Sequence, residues 1–124
     1  MSLSKNIDFH SEHKKWDSAL SFYQDEIKTY ENRLQEIADK NTSSDIIKSV
    51  EQFQNRFIVQ KRNIAKLKNH IQKHEIALAA NKGVQVTTES DVKHHGIMEG
   101  KISDQTTAMK NLKDEFYKFM AKVM

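Results

Sequence analysis

Residues 9–37 read FHSEHKKWDSALSFYQDEIKTYENRLQEI, and along them Phe9, His13, Trp16, Leu20, Tyr23, Ile27, Tyr30, Leu34 and Ile37 recur at alternating steps of four and three. That spacing lines one face of an α-helix with a continuous seam, as a bundled helix requires. Asp39-Lys40-Asn41 interrupts the pattern, and Thr42 with Asp45 three residues later has the form of a capping box that opens a second helix. So short a turn predicts two antiparallel neighbours.

The same spacing resumes through Ile46, Val50, Phe53, Phe57, Gln60, Ile64, Leu67, Ile71, His74 and Leu78, and stops at Asn81-Lys82-Gly83, where glycine can close a helix. Val84–Thr87 form a linker, and Thr88 with Asp91 repeats the capping signature. A third seam follows in His95, Met98, Ile102, Gln105, Met109, Leu112, Phe116, Phe119 and Val123. The expected fold is all-α: a single domain over residues 1–124, an elongated up-down-up three-helix bundle with coiled-coil-like packing and helices at about 5–39, 43–81 and 88–123. Phe22, Ile47, Ile58, Val59, Ile76 and Met120 flank the seams and widen the apolar faces, which predicts a homodimer or a helical protein partner. Gly96 and Gly100 lie inside the third helix, where each costs about 1 kcal/mol against alanine, so a close approach or a bend is expected there.

Composition narrows the functional classes. The 124 residues are 37% hydrophobic and 30% charged, with no proline to break long helices and no cysteine for disulfide or thiol chemistry. No apolar run has the roughly 20 residues a membrane span needs, and the N-terminal stretch lacks a signal-peptide pattern, so a cytoplasmic location is the expectation. Twenty basic against seventeen acidic residues give a net charge of +3, too small to argue for nucleic acid. Arg56, Lys61, Arg62, Lys66, Lys68 and Lys73 form a basic ridge on the middle helix, and the acidic residues of the first helix are its simplest partners. Gln60 and Gln105 occupy seam positions, where buried amides specify register.

Six histidines stand out against this background. Folding back at residues 40–41 and again near 85 sets His74 opposite His95 and brings His10 and His13 to the same end. His70 and Glu99 fall close by, whereas His94 lies one position round from the seam. The candidate metal ligands are His10, His13, His70, His74, His95 and Glu99. His70 with His74 and His95 with Glu99 are i,i+4 pairs on one helix face each. Imidazoles with a carboxylate suit Zn, Fe, Mn, Ni or Cu, and zinc would take His13, His74 and His95 with water or Glu99 as the fourth ligand. The Glu-x-x-His units of a dinuclear carboxylate bundle are absent.

His70-Ile71-Gln72-Lys73-His74 resembles, over five residues, the HxxxH pair of hemerythrin-like diiron bundles. The chain departs from that family in having three long helices instead of four and no HxxxE unit on the second, so the family is not assigned. No glycine-rich phosphate loop, HExxH motif or oriented serine–histidine–carboxylate set is present. The sequence alone points first to a non-catalytic helical scaffold or interaction module. Its alternative is a metal-binding bundle for storage, sensing or redox, and a metal-free histidine layer is the bland account of the same residues.

Overall fold

A computed structural model describes the backbone of residues 2–80 and 89–123 and the side chains of 9–77 and 89–123. Among the described residues three helices make the fold: α1 (Ser2–Lys40), α2 (Ser44–Ala80) and α3 (Glu89–Val123). They form an up-down-up three-helix bundle in which α2 packs against both neighbours and most extensively along α1. There is no strand among the described residues. At 1.5 Å per residue the 39 residues of α1 span about 58 Å, so each helix runs nearly the length of a slender rod. No helix is long and apolar enough to cross a membrane among the described residues.

The α1–α2 turn differs from its expected form by one residue. The Ile47 amide donates to the Ser43 carbonyl at 3.0 Å, which makes Ser43 rather than Thr42 the cap residue just before α2. At the other side of the turn Asn41 Nδ2 donates to the Ile37 carbonyl at 2.7 Å and satisfies one of the open carbonyls of the last turn of α1. The expected stop at Asn81–Gly83, the linker 84–87, the Thr88 cap and the Leu78 side chain lie outside the described residues.

The seams meet as their spacing demands. Leu20, Ile27, Phe57, Ile64 and Phe116 are wholly buried, and Leu34, Ile37, Val50, Met109 and Leu112 nearly so. Toward the α1–α2 turn the core is aromatic: Phe53, Phe57 and Phe116 pack ring to ring at 5.3–6.2 Å, with Tyr30 and Phe119 against them. Burial first, then Tyr117 and Glu26, raises the Tyr30 pKa, and its hydroxyl donates to Glu26 at 3.1 Å. Midway along the rod, buried Gln105 donates to Gln60 at 2.7 Å, so one hydrogen bond joins the two seam amides across α2 and α3. Trp16, Tyr23, Ile46, His74, Phe119 and Val123 are half-buried rather than enclosed, because three thin helices cannot cover their broad side chains.

Part of the basic ridge is neutralised between helices. Lys61 pairs with Glu31 at 2.9 Å, Arg56 with Glu115 at 2.5 Å, and Lys68 reaches Asp17 at 3.7 Å and Ser21 at 2.5 Å. Such exposed pairs each contribute about 0–1 kcal/mol, so they set helix register more than stability.

The close approach expected at the two glycines of α3 is not found. A Cβ at Gly96 or Gly100 would meet nothing within 4 Å, and neither residue has positive φ. Close packing therefore does not explain them, since both face open space on an uninterrupted helix. Gly100→Ala is expected to stabilise the chain by about 1 kcal/mol through helix propensity alone, read by urea denaturation. Phe57→Ala is expected to cost about 3–5 kcal/mol in the same assay, because it empties the centre of the aromatic cluster.

Candidate metal centre

The end of the rod built from the start of α1, the end of α2 and the start of α3 changes character from hydrocarbon to imidazole. The seam period that buries Leu20 also buries Phe9 and His13, and on α3 the seam position preceding Met98 is His95. His13 is 2% exposed and His95 6%, while His74 is half-buried. The His13 ring stands 5.0 Å from that of His74 and 5.4 Å from that of His95. His95 is stacked between Phe9 at 4.0 Å and Trp16 at 4.7 Å, which fixes the plane of its ring. Trp16 also flanks His13 at 5.5 Å, closing the imidazoles off from the hydrocarbon seam.

Carboxylates grip these rings from outside. Glu75 on α2 accepts from His13 Nδ1 through one oxygen and from His10 Nδ1 at 2.9 Å through the other. Glu12 on α1 accepts from His95 Nε2 at 2.6 Å. In a neutral imidazole a proton on the carboxylate side leaves the other nitrogen a lone pair. Those other nitrogens, His13 Nε2 and His95 Nδ1, are buried and have no hydrogen-bond partner among the described residues, and the same holds for His74 Nε2. An unpartnered buried polar atom costs about 1–3 kcal/mol, so three together need a physical reason.

Among the described residues one set of ligand atoms converges, and it lies on the rim. Glu12, His95 and Glu99 bring one ligand atom each to within 4.8 Å of one another, Glu12 half-buried and Glu99 exposed. His95 and Glu99 are one turn apart on α3 and Glu12 comes across from α1. One imidazole nitrogen and two carboxylate oxygens form a set that could chelate a divalent transition metal. Beside it, a groove of about 790 Å³ between α1 and α2, lined by His10, His13, Lys14, Lys68 and Glu75 among others, opens the flank of the histidine end to solvent.

His13, His74 and His95 stand together, and His10 joins them through Glu75. Glu99 approaches His95, whereas His70 is exposed and lines a separate groove between α2 and α3 with Lys101 and Asp104. His70 is one position round from the buried seam residue Ile71, a rotation of about 100° that turns it outward. His94 is exposed, 6.2 Å from His74. Glu12 and Glu75 were not among the candidates. Their signal was adjacency: each directly neighbours a seam histidine, and a glutamate there is long enough to fold over the rim.

Comparison with protein-family models, with curated proteins and with solved structures finds no match. The reading of the site therefore rests on its geometry.

Electrostatics gives the metal-free site a pH response. Burial lowers the His74 pKa, His13, His94 and His95 lower it further, and Asp91 opposes them. Burial pushes Glu75 up, but its hydrogen bonds from His10 and His13 outweigh this and hold it below the usual carboxylate range. Below about pH 6.5 the unfolded chain protonates its His74 imidazole while the folded chain resists, so the unfolded state binds more protons and stability falls on acidification. The Glu75 contribution has the same sign but is lost only lower, as pH falls through the carboxylate range. Metal-free protein is expected to show a decreasing urea midpoint between pH 7 and 5, followed by circular dichroism. An unchanged midpoint would remove His74 from the buried cluster.

Proposed function

We propose that the chain is a binding module for a divalent first-row transition metal, seated at the histidine end of the bundle by His95 between Glu12 and Glu99. The observation that carries this reading is the convergence of those three ligand atoms on a buried, stacked imidazole. Two helices supply the set, so binding an ion there also ties α1 to α3 where α1 begins. Water completes the coordination, because Glu99 is exposed and the rim is open. A mixed nitrogen and carboxylate set favours manganese, iron, cobalt or zinc over calcium, which prefers six to eight oxygens. Holding, sensing or delivering such an ion are the roles this geometry supports. The scaffold reading draws on Phe22, Ile76 and Ile97, each at least half exposed, but nothing covers them among the described residues.

Zinc titrated into chelator-treated protein is expected to give a calorimetric binding event and to raise the melting temperature. At a hundredfold excess over Kd the stabilisation should be about 2.7 kcal/mol. The double variant Glu12→Gln, Glu99→Gln is expected to weaken that event by at least about tenfold. No heat with the unmodified chain, or an unchanged affinity in the double variant, would overturn the reading.

A further inference from the structure

His95 and His13 each carry one buried ring nitrogen without a hydrogen-bond partner, Nδ1 on the first and Nε2 on the second. Their protonation explains why the two do not bond to each other. Glu12 accepts from His95 Nε2 and Glu75 from His13 Nδ1, so in the neutral rings both remaining nitrogens are lone pairs, and neither has a proton to donate. The rings are nonetheless neighbours, with 5.4 Å between centres, close to the roughly 5 Å at which one imidazole N–H reaches the nitrogen of another. Around His95 no other ring can receive a proton from Nδ1. Phe9 and Trp16 cover its two faces and offer no lone pair, and the ring contacts of His74 are with Phe9, His13 and His94 instead.

We infer that the rim ion is held through a relay that ends on α2: when the metal takes His95 Nε2, the ring proton moves to Nδ1 and is donated to His13 Nε2, whose lone pair is kept free by Glu75. The inference rests on the metal-binding reading above and deepens it by naming what stands behind the ligand. The step balances within the His95 ring. The Nε2–H bond breaks and its electron pair becomes the bond to the metal, while solvent carries the proton to Nδ1, whose own lone pair forms the new N–H bond. The ring stays neutral, no net proton is released, and Glu12, relieved of the Nε2 proton, becomes a ligand.

His13 and Glu75 are then positioning residues. A ligand imidazole that donates its second nitrogen to a fixed acceptor is held in one tautomer and one orientation, and is the more basic ligand for it. Without His13 the Nδ1 proton would be a buried donor with nothing to receive it, which would oppose binding. The metal-free layer sets two lone pairs side by side and the loaded layer joins them by one N–H···N bond, so the ion relieves an unfavourable contact. No rim ligand comes from α2, yet Glu75 on α2 orients His13 on α1, and His13 backs His95 on α3. Affinity for the ion thereby depends on all three helices being closed.

Zinc affinities of the unmodified, His13→Leu and His13→Gln chains, measured by competition with a chelating dye, test this, with circular dichroism checking the fold. His13→Leu removes the acceptor and no ligand, and should weaken zinc binding by about 10–100-fold. His13→Gln, whose side-chain carbonyl can accept the Nδ1 proton, should recover most of that loss. In the zinc-loaded unmodified chain, nitrogen-15 NMR should show scalar coupling across the hydrogen bond from His95 Nδ1 to His13 Nε2, absent from the metal-free protein. Where His13→Leu fails to fold, that coupling and the Gln variant decide. Unchanged affinity in folded His13→Leu, an undiminished loss in His13→Gln, or a zinc-loaded His95 without coupling to His13 would each overturn the relay and leave the rim ion standing. No zinc binding by the unmodified chain would remove the rim ion and the relay together.

Discussion

A seam that runs the length of three helices has to be closed at both ends, and here one end is closed with imidazole instead of hydrocarbon. Everything particular to this protein follows from how His13 and His95 are accommodated in that layer. Hydrocarbon needs only contact, whereas an imidazole needs a partner for each nitrogen. Glu75 and Glu12 satisfy the outward nitrogens, and the inward ones go without. The carboxylates thereby decide which way the lone pairs point.

Contrast within the rod sharpens this. In the middle, buried Gln105 donates to half-buried Gln60 across the seam, which gives a polar position that is locally paired. At the far end, Phe53, Phe57 and Phe116 fill the layer with rings that ask for no hydrogen bond. Only at the histidine end are buried polar atoms left unpartnered among the described residues. The same layer is flanked by a rim of ligand atoms whose Glu99 is exposed, so an ion could reach the rim without unfolding the bundle.

The fold was legible because its period is unambiguous. Alternating steps of four and three from Phe9 to Ile37 leave only one helical face to bury, and Leu20, Ile27 and Leu34 are buried on it. Histidines on the seam, His13 and His95, could be placed by the same rule. What the period cannot give is the reach of a side chain that starts beside the seam. Glu12 and Glu75 begin on the solvated flank and fold back over the rim, while His70, with i,i+4 spacing to His74, stays outside. The start of α2 was displaced by one residue for a related reason: Thr42, Ser43 and Ser44 can all cap, and the backbone bond from Ile47 to Ser43 decides among them. Gly96 and Gly100 drew attention as a packing device, yet the space beyond them is open.

The most direct measurement is long-range proton–nitrogen correlation NMR of the imidazole rings in metal-free protein at pH 7. His95 should carry its proton on Nε2, toward Glu12, and zinc should displace it, moving the Nε2 signal and leaving the ring proton on Nδ1. His95 ring signals that stay unchanged when zinc is added would contradict the account, because the rim set would then hold no ion through this imidazole.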